Sequence, residues 1–245
     1  METRKSSAFV PKSWDLPDAI RRRLGDEAGR QRLMDEEGHL LLILHEVPKP
    51  EDEEVRRPFL LWGQPDGTWK SSPSGGGLAG LTEHLASYER AIHDLDDDVE
   101  AAASPRECFE MMKRAQPLLR ATRNLLTVLE AARKARSDER RLIVARDKAI
   151  DLERGIDLTA SDAKAGMDFT LAMNAEAQAR AAHEAGEEAR RLNRLAAFFL
   201  PLATLVAVFG INPPAEVLGM PGLWAVVLGG VGLGAVVWMS LLRRK

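Results

Sequence analysis

Leu195-Ala196-Ala197-Phe198-Phe199-Leu200-Pro201-Leu202-Ala203-Thr204-Leu205-Val206-Ala207-Val208-Phe209-Gly210-Ile211 carries no charged side chain, and neither does a second apolar run, residues 223–242. Each run approaches or reaches the ~20 residues with which a helix crosses ~30 Å of hydrocarbon. The sequence therefore predicts a membrane hairpin of two transmembrane helices joined by the connector 212–222. Arg190, Arg191 and Arg194 precede the first run, Arg243, Arg244 and Lys245 follow the second, and the only charge of the connector is Glu216. The positive-inside bias then puts both termini in the cytoplasm of a multi-pass inner (plasma) membrane protein.

Pro201 removes a backbone hydrogen bond inside the first run and kinks it. The run ends in Gly210-Ile211-Asn212-Pro213. A residue before proline is pushed out of the α region, so the helix is expected to stop at Asn212 with a carboxamide at its mouth.

These residues resemble the CorA-type divalent-cation channels, whose first transmembrane helix ends in Gly-Met-Asn. Met220-Pro221-Gly222-Leu223-Trp224 resembles that family's Met-Pro-Glu-Leu connector motif followed by an aromatic. The likeness covers the last fifty or so residues closely and the upstream helices in layout only. Ile211 replaces methionine, an apolar swap of similar volume. Gly222 replaces the connector glutamate, which removes an acidic ring, and Glu216 is the candidate substitute.

The resemblance implies a homo-oligomer, a pentamer, in which a long stalk helix continues into a pore-lining first span and the second span lies outside it against lipid. Asn212 would form a ring of carboxamide oxygens at the outer mouth, with Gly210, Ile211 and Glu216 completing the selectivity region. Leu192, Ala196, Leu200, Ala203 and Ala207 fall on one side of the first span, the side the resemblance turns toward the pore, with Leu192 and Leu200 as apolar gates. The transported ion would be Mg2+ or another divalent cation, which could also act as a regulatory ion, and no tightly bound cofactor is implied. In that family cytoplasmic acids at subunit contacts bind metal. Asp147, Asp151, Asp157, Asp162 and Asp168 are candidates, and the sequence does not choose among them.

The whole chain reads as a mainly α membrane protein: a reduced α/β domain over 1–77, a helical region over 78–194 with a stalk helix from about 138, and a two-helix membrane domain over 195–245. With 34 basic and 37 acidic residues in 245, the net charge of −3 argues against a nucleic-acid partner. A single cysteine, Cys108, cannot form an intramolecular disulfide and fits a reducing compartment. The polar start, Met1 to Ser7, lacks the apolar core of a signal peptide, so the distal runs are expected to direct insertion.

In the first region, residues 15–38 read as a charged helical segment, with Asp15 and Pro17 as start signals. His39-Leu40-Leu41-Leu42-Ile43-Leu44-His45 is an apolar run of strand length. Phe59-Leu60-Leu61-Trp62 and Thr68-Trp69-Lys70 flank Gln64-Pro65-Asp66-Gly67, where proline presets φ and glycine accepts the left-handed position. A small sheet follows from these runs, with His39 and His45 as strand-end histidines rather than a metal pair.

After the break Ser71 to Gly77 the period becomes helical. Leu81, Leu85, Tyr88, Ile92, Leu95, Val99 and Ala102 form one stripe. Ser104-Pro105-Arg106-Glu107 supplies an N-cap, a proline at the first helical position and a capping-box glutamate. Phe109, Met112, Leu119, Leu126 and Leu129 are the core-facing candidates of that helix, and Pro117 is expected to bend it.

The third helix starts near Ser137-Asp138-Glu139 and runs to Asn212, about 100 Å at 1.5 Å per residue. Leu142, Ala145, Ala149, Leu152, Ile156 and Ala163 form its seam, while residues 172–189 offer little bulk to bury. The acidic run at Asp94, Asp96, Asp97 and Asp98 reads as a solvated face, because consecutive helical positions point in different directions.

Two function classes follow: a homo-oligomeric divalent-cation channel or transporter, and a non-conducting membrane scaffold or sensor of the same architecture. No phosphate loop, zinc-spaced cluster or nucleophile-base pair suggests an enzyme.

Overall fold

A computed structural model describes residues 9–49, 56–211, 224, 228–232, 234–236 and 239. The chain divides into two compact units, residues 1–171 and 172–245.

The first unit is built on an antiparallel sheet, β1 (Arg32–Glu36), β2 (His39–His45), β3 (Pro58–Gly63) and β4 (Trp69–Ser72), paired in that order. The two apolar runs quoted for β2 and β3 are its centre. Their unbroken hydrophobicity has a cause, since both faces of the sheet are covered. Leu40, Leu42, Leu44, Phe59 and Leu61 enter one cluster with the helices that follow the sheet. Leu41, Ile43, Leu60 and Trp62 enter another with Trp14, Leu16 and Ile20 from the preceding segment. The β3–β4 turn is made as its sequence dictates: Gly67 takes φ 83°, Gln64 N–H donates to Thr68 O (2.9 Å), and Asp66 Oδ1 accepts from Thr68 N–H (2.9 Å).

Residues 15–38 depart from the helical expectation. Only α1 (Asp18–Arg21) is helical, and Arg32–Glu36 is strand. The reason is a tight turn, Glu37 at φ 53° and Gly38 at φ 75°, which folds Glu36 back opposite His39. Arg21 secures the covering segment by donating to the carbonyls of Leu16 and Trp14, each at 2.8 Å.

Three helices close the other face: α2 (Leu78–Ala101), α3 (Pro105–Ala135) and α4 (Arg140–Ile211). The α2 stripe buries Leu81, Leu85, Tyr88, Ile92 and Leu95, and adds His84. Ser104 and Glu107 make the reciprocal capping box at the start of α3. The face of α3 is rotated from expectation. Leu119 and Leu129 are buried, but so are Leu118, Leu125 and Val128, while Phe109 is 45% exposed. The α4 seam at Leu142, Ala145, Ala149, Leu152, Ile156 and Ala163 is buried throughout. That seam shares one hydrophobic cluster with residues of α2 and α3, and polar links cross at its edges. Lys148 pairs with Glu89 at 2.5 Å, and Arg123 spans Glu153 (3.1 Å) and Asp157 (2.8 Å).

The second unit holds the rest of α4, in which residues 172–185 are exposed all round, and helical residues at 228–232 and 234–236. Gly230 and Gly234, four apart, are its buried small residues. A Cβ on Gly234 would lie 2.8 Å from the Phe198 carbonyl oxygen, so the backbones meet there with no room for a side chain. Gly229 and Gly232 face open space.

The expected class of mainly α membrane protein with two transmembrane helices is corrected here. Among the described residues, no helix is long and apolar enough to cross a membrane. The uncharged end of α4, residues 195–211, reaches only about 25 Å at 1.5 Å per residue, short of ~30 Å of hydrocarbon, and the turn before it carries Arg190, Arg191 and Arg194. The placement as a multi-pass inner-membrane protein with both termini cytoplasmic loses its basis with it.

Candidate functional site

Of the residues assigned to a pore by resemblance, Leu192, Ala196, Leu200, Ala203 and Ala207 lie on α4 and are all exposed. Their spacing puts them on one side of the helix. Leu192 is 66% and Leu200 69% exposed, so these two large apolar side chains stand largely uncovered among the described residues. Gly210 and Ile211 are the last residues of α4. Asn212 and Glu216 lie outside the described residues. Thr204 spends its hydroxyl on the Leu200 carbonyl (2.8 Å), the i−4 bond typical of a helical threonine, and Pro201 lies in the same turn. Phe198 and Phe199 meet edge to face with centroids 5.2 Å apart.

Several acids of the first unit link one helix to another. Asp96 accepts from the Thr159 hydroxyl at 2.8 Å, Asp98 pairs with Arg114 at 2.6 Å, and Asp157 pairs with Arg123. Asp147 sits 3.2 Å from its neighbour Arg146. Among the described residues no group of three or more His, Cys, Asp or Glu side chains is placed to hold a metal ion. Residues 106–154 hold more basic than acidic side chains and residues 157–190 the reverse, and the Arg123–Asp157 pair joins the two stretches.

The strand-end histidines do different jobs. His45 is buried with Nε2 2.9 Å from the Gly29 carbonyl, and desolvation lowers its pKa. His39 Nδ1 accepts from the Trp62 indole at 3.2 Å. They do not converge. A third histidine, His84, went unremarked in the sequence although it falls between Leu81 and Leu85 on the buried stripe of α2. It stacks on Phe59 with centroids 4.2 Å apart and meets Tyr88 edge-on. Burial drives its pKa down to about 4, so the ring is neutral at pH 7. Tyr88 donates its hydroxyl to the His45 carbonyl at 2.9 Å, and burial raises its pKa.

No family model matches the chain, and no curated protein does. Among solved structures, the full-length CmaX protein is similar at 16% identity and a TM-score of 0.57, over 95% of this chain and 82% of that one. The complete structure of the CorA magnesium transporter from Methanocaldococcus jannaschii is similar at 15% identity and a TM-score of 0.45, over 90% of this chain and 80% of that one. The fold is similar to that of the full-length CmaX protein.

Proposed function

We propose that the chain is a homo-oligomeric divalent-cation transport protein of CorA type, in which Asn212 of each copy presents a carboxamide oxygen to a hydrated ion. The observations that support this reading are the fold shared with the CmaX protein over 95% of the chain and the Gly210-Ile211-Asn212 sequence at the end of α4, which resembles the CorA-type Gly-Met-Asn. Mg2+ is the first candidate because it gives up water reluctantly and suits recognition through its hydration shell. The exposed apolar stripe of α4 supports assembly, since another copy packed against it would cover Leu192 and Leu200. Five copies, the number suggested by resemblance, would bring five such stripes together, with Gly210 carbonyls and Glu216 near the Asn212 ring.

A second reading is a non-conducting membrane scaffold or sensor of the same architecture. The two are separated by Mg2+ uptake into proteoliposomes carrying wild type or Asn212→Ala. Uptake abolished by the substitution supports transport. Uptake no greater than in empty vesicles, from a preparation shown by mass photometry to be oligomeric, supports the scaffold, and a monomer-sized particle counts against both.

A further inference from the structure

The two histidines that end β2 alternate onto the same sheet face as Leu41 and Ile43, the face covered by the segment before β1. Each holds that segment at a different point. His39 Nδ1 accepts the Trp62 indole N–H at 3.2 Å with the two rings 19° from parallel, and Trp62 packs on Trp14 of the segment with centroids 5.5 Å apart. His45 Nε2 lies 2.9 Å from the carbonyl of Gly29, fifteen residues further along the segment. Trp14, Trp62 and His45 are all buried.

Both contacts suit neutral rings. An indole nitrogen only donates, so His39 must keep a lone pair on Nδ1. A proton there sets N–H against N–H and leaves a buried indole without its acceptor, which is costly. At His45 a proton would place charge in a buried position. Burial lowers its pKa, the Gly29 bond opposes that in part, and Arg56 and Arg32 add to the lowering.

The surrounding charges do little to offset a proton on either ring. Glu36 of β1, the cross-strand partner of His39, is already engaged by Arg23 at 2.7 Å. Lys70 of β4 is 5.2 Å from the Trp62 ring centroid, Arg136 of α3 donates to the Gly38 carbonyl, and Asp15 and Arg21 pair beside Trp14. Near His45 stand Glu46, the next residue, and on α2 the neutral His84 and the Tyr88 hydroxyl, which donates to the His45 carbonyl.

We propose that β2 is a proton-operated clasp: protonation of His39 and His45 releases the segment before β1 at Trp14 and at Gly29, uncovering the sheet face that carries Leu41, Ile43 and Trp62. Histidine is the side chain whose ordinary titration falls between about pH 5 and 8, so the clasp is closed at the upper end of that range and opens toward the lower. The proposal does not depend on cation transport.

The test is hydrogen exchange of the full chain at about pH 8 and about pH 5, corrected for the intrinsic pH dependence of exchange. Amides of the segment before β1 are expected to exchange at least about tenfold faster at the lower pH, and faster there than those of α3. His39→Asn, whose Oδ1 can accept from the indole, combined with His45→Gln, whose Nε2 can donate to the Gly29 carbonyl, should abolish that gain. Equal protection at both pH values overturns the proposal, as does a gain that persists in the double variant. So does a segment that exchanges no faster than α3 at the lower pH, because the chain then opens only as a whole. If the double variant fails to fold, the Trp62 indole N–H resonance of the wild type decides: it should move as pH falls, and a resonance fixed across the range overturns the clasp.

Discussion

Thr159 of α4, 2% exposed, donates its hydroxyl to Asp96 of α2 across 2.8 Å. Asp98, in the same acidic run, links α2 to α3 instead, through Arg114 at 2.6 Å. Thr159 also has the Gly155 carbonyl within 3.2 Å, so its hydroxyl is shared between an α2–α4 link and its own helix.

Thr159→Val keeps the volume and removes the hydroxyl. It should destabilise the first unit by about 1 kcal/mol, the ordinary net worth of a hydrogen bond, because half-exposed Asp96 can recover water. A double-mutant cycle with Asp96→Ala, read by urea unfolding, should return a coupling of roughly 0.5–1 kcal/mol. Strict additivity would mean that the bond does not link the helices.

His84 makes stability depend on acid. Its folded pKa of about 4 lies below the ~6.5 of an unfolded histidine, so below pH 6.5 the unfolded chain binds the extra proton. Stability from this group is therefore intact above about pH 6.5, falls as pH drops, and is fully lost near pH 4, by roughly 3 kcal/mol. His45, also lowered by burial, acts in the same direction. Urea midpoints at pH 7 and pH 5 should converge in His84→Phe, which keeps the stack on Phe59 and leaves Tyr88 on the His45 carbonyl. A wild type equally stable at both values would remove this histidine as the cause.

The parts of this fold that were legible are those where one local pattern had one physical solution. Pro65-Asp66-Gly67 could only be a turn, Ser104 to Glu107 could only cap a helix, and the leucine-alanine seam from Leu142 to Ala163 had one face to bury. Arg32–Glu36 was illegible because it has only Leu33 and Met34 to show for a strand. Its pairing is imposed by the Glu37-Gly38 turn and by the finished edge of β2. The rotation of α3 had a similar origin, since Phe109 looked like core by size while Leu118 and Leu125 enter the cluster that α3 shares with the sheet and α2. His84 was hidden by its chemistry, a titratable residue read as surface, though its place beside Leu85 marked it as buried. At the candidate pore, the stripe on α4 follows from helical spacing, whereas Asn212 and Glu216 rest on sequence and resemblance.

Two glycines with positive φ should respond differently to alanine. Gly67, at φ 83° in the β3–β4 turn, has nothing within 4 Å of an added Cβ, so Gly67→Ala meets only the left-handed penalty, about 1–2 kcal/mol. Gly77, at φ 58° before α2, would drive its Cβ into the Trp69 carbonyl oxygen and carbon. That clash adds to the same penalty and forces the β4–α2 junction to shift, so Gly77→Ala should cost at least ~2 kcal/mol more than Gly67→Ala. Thermal unfolding of the two variants compares them directly. Equal losses would show that the junction relaxes freely.

The close approach of Gly234 to Phe198 makes a prediction in the second unit. A methyl at 234 would sit 2.8 Å from the Phe198 carbonyl oxygen and 3.3 Å from its ring, and a backbone atom cannot swing aside as a side-chain end can. Gly229, which meets nothing within 4 Å, is the matched control on the same helix. Gly234→Val should push the two helices apart and destabilise their contact by roughly 1–3 kcal/mol, whereas Gly229→Val should change it little. Urea unfolding of the two variants compares them directly. A larger loss in Gly234→Val than in Gly229→Val is the expected order. If both variants are as stable as the wild type, the absence of a side chain at 234 is not what sets the spacing.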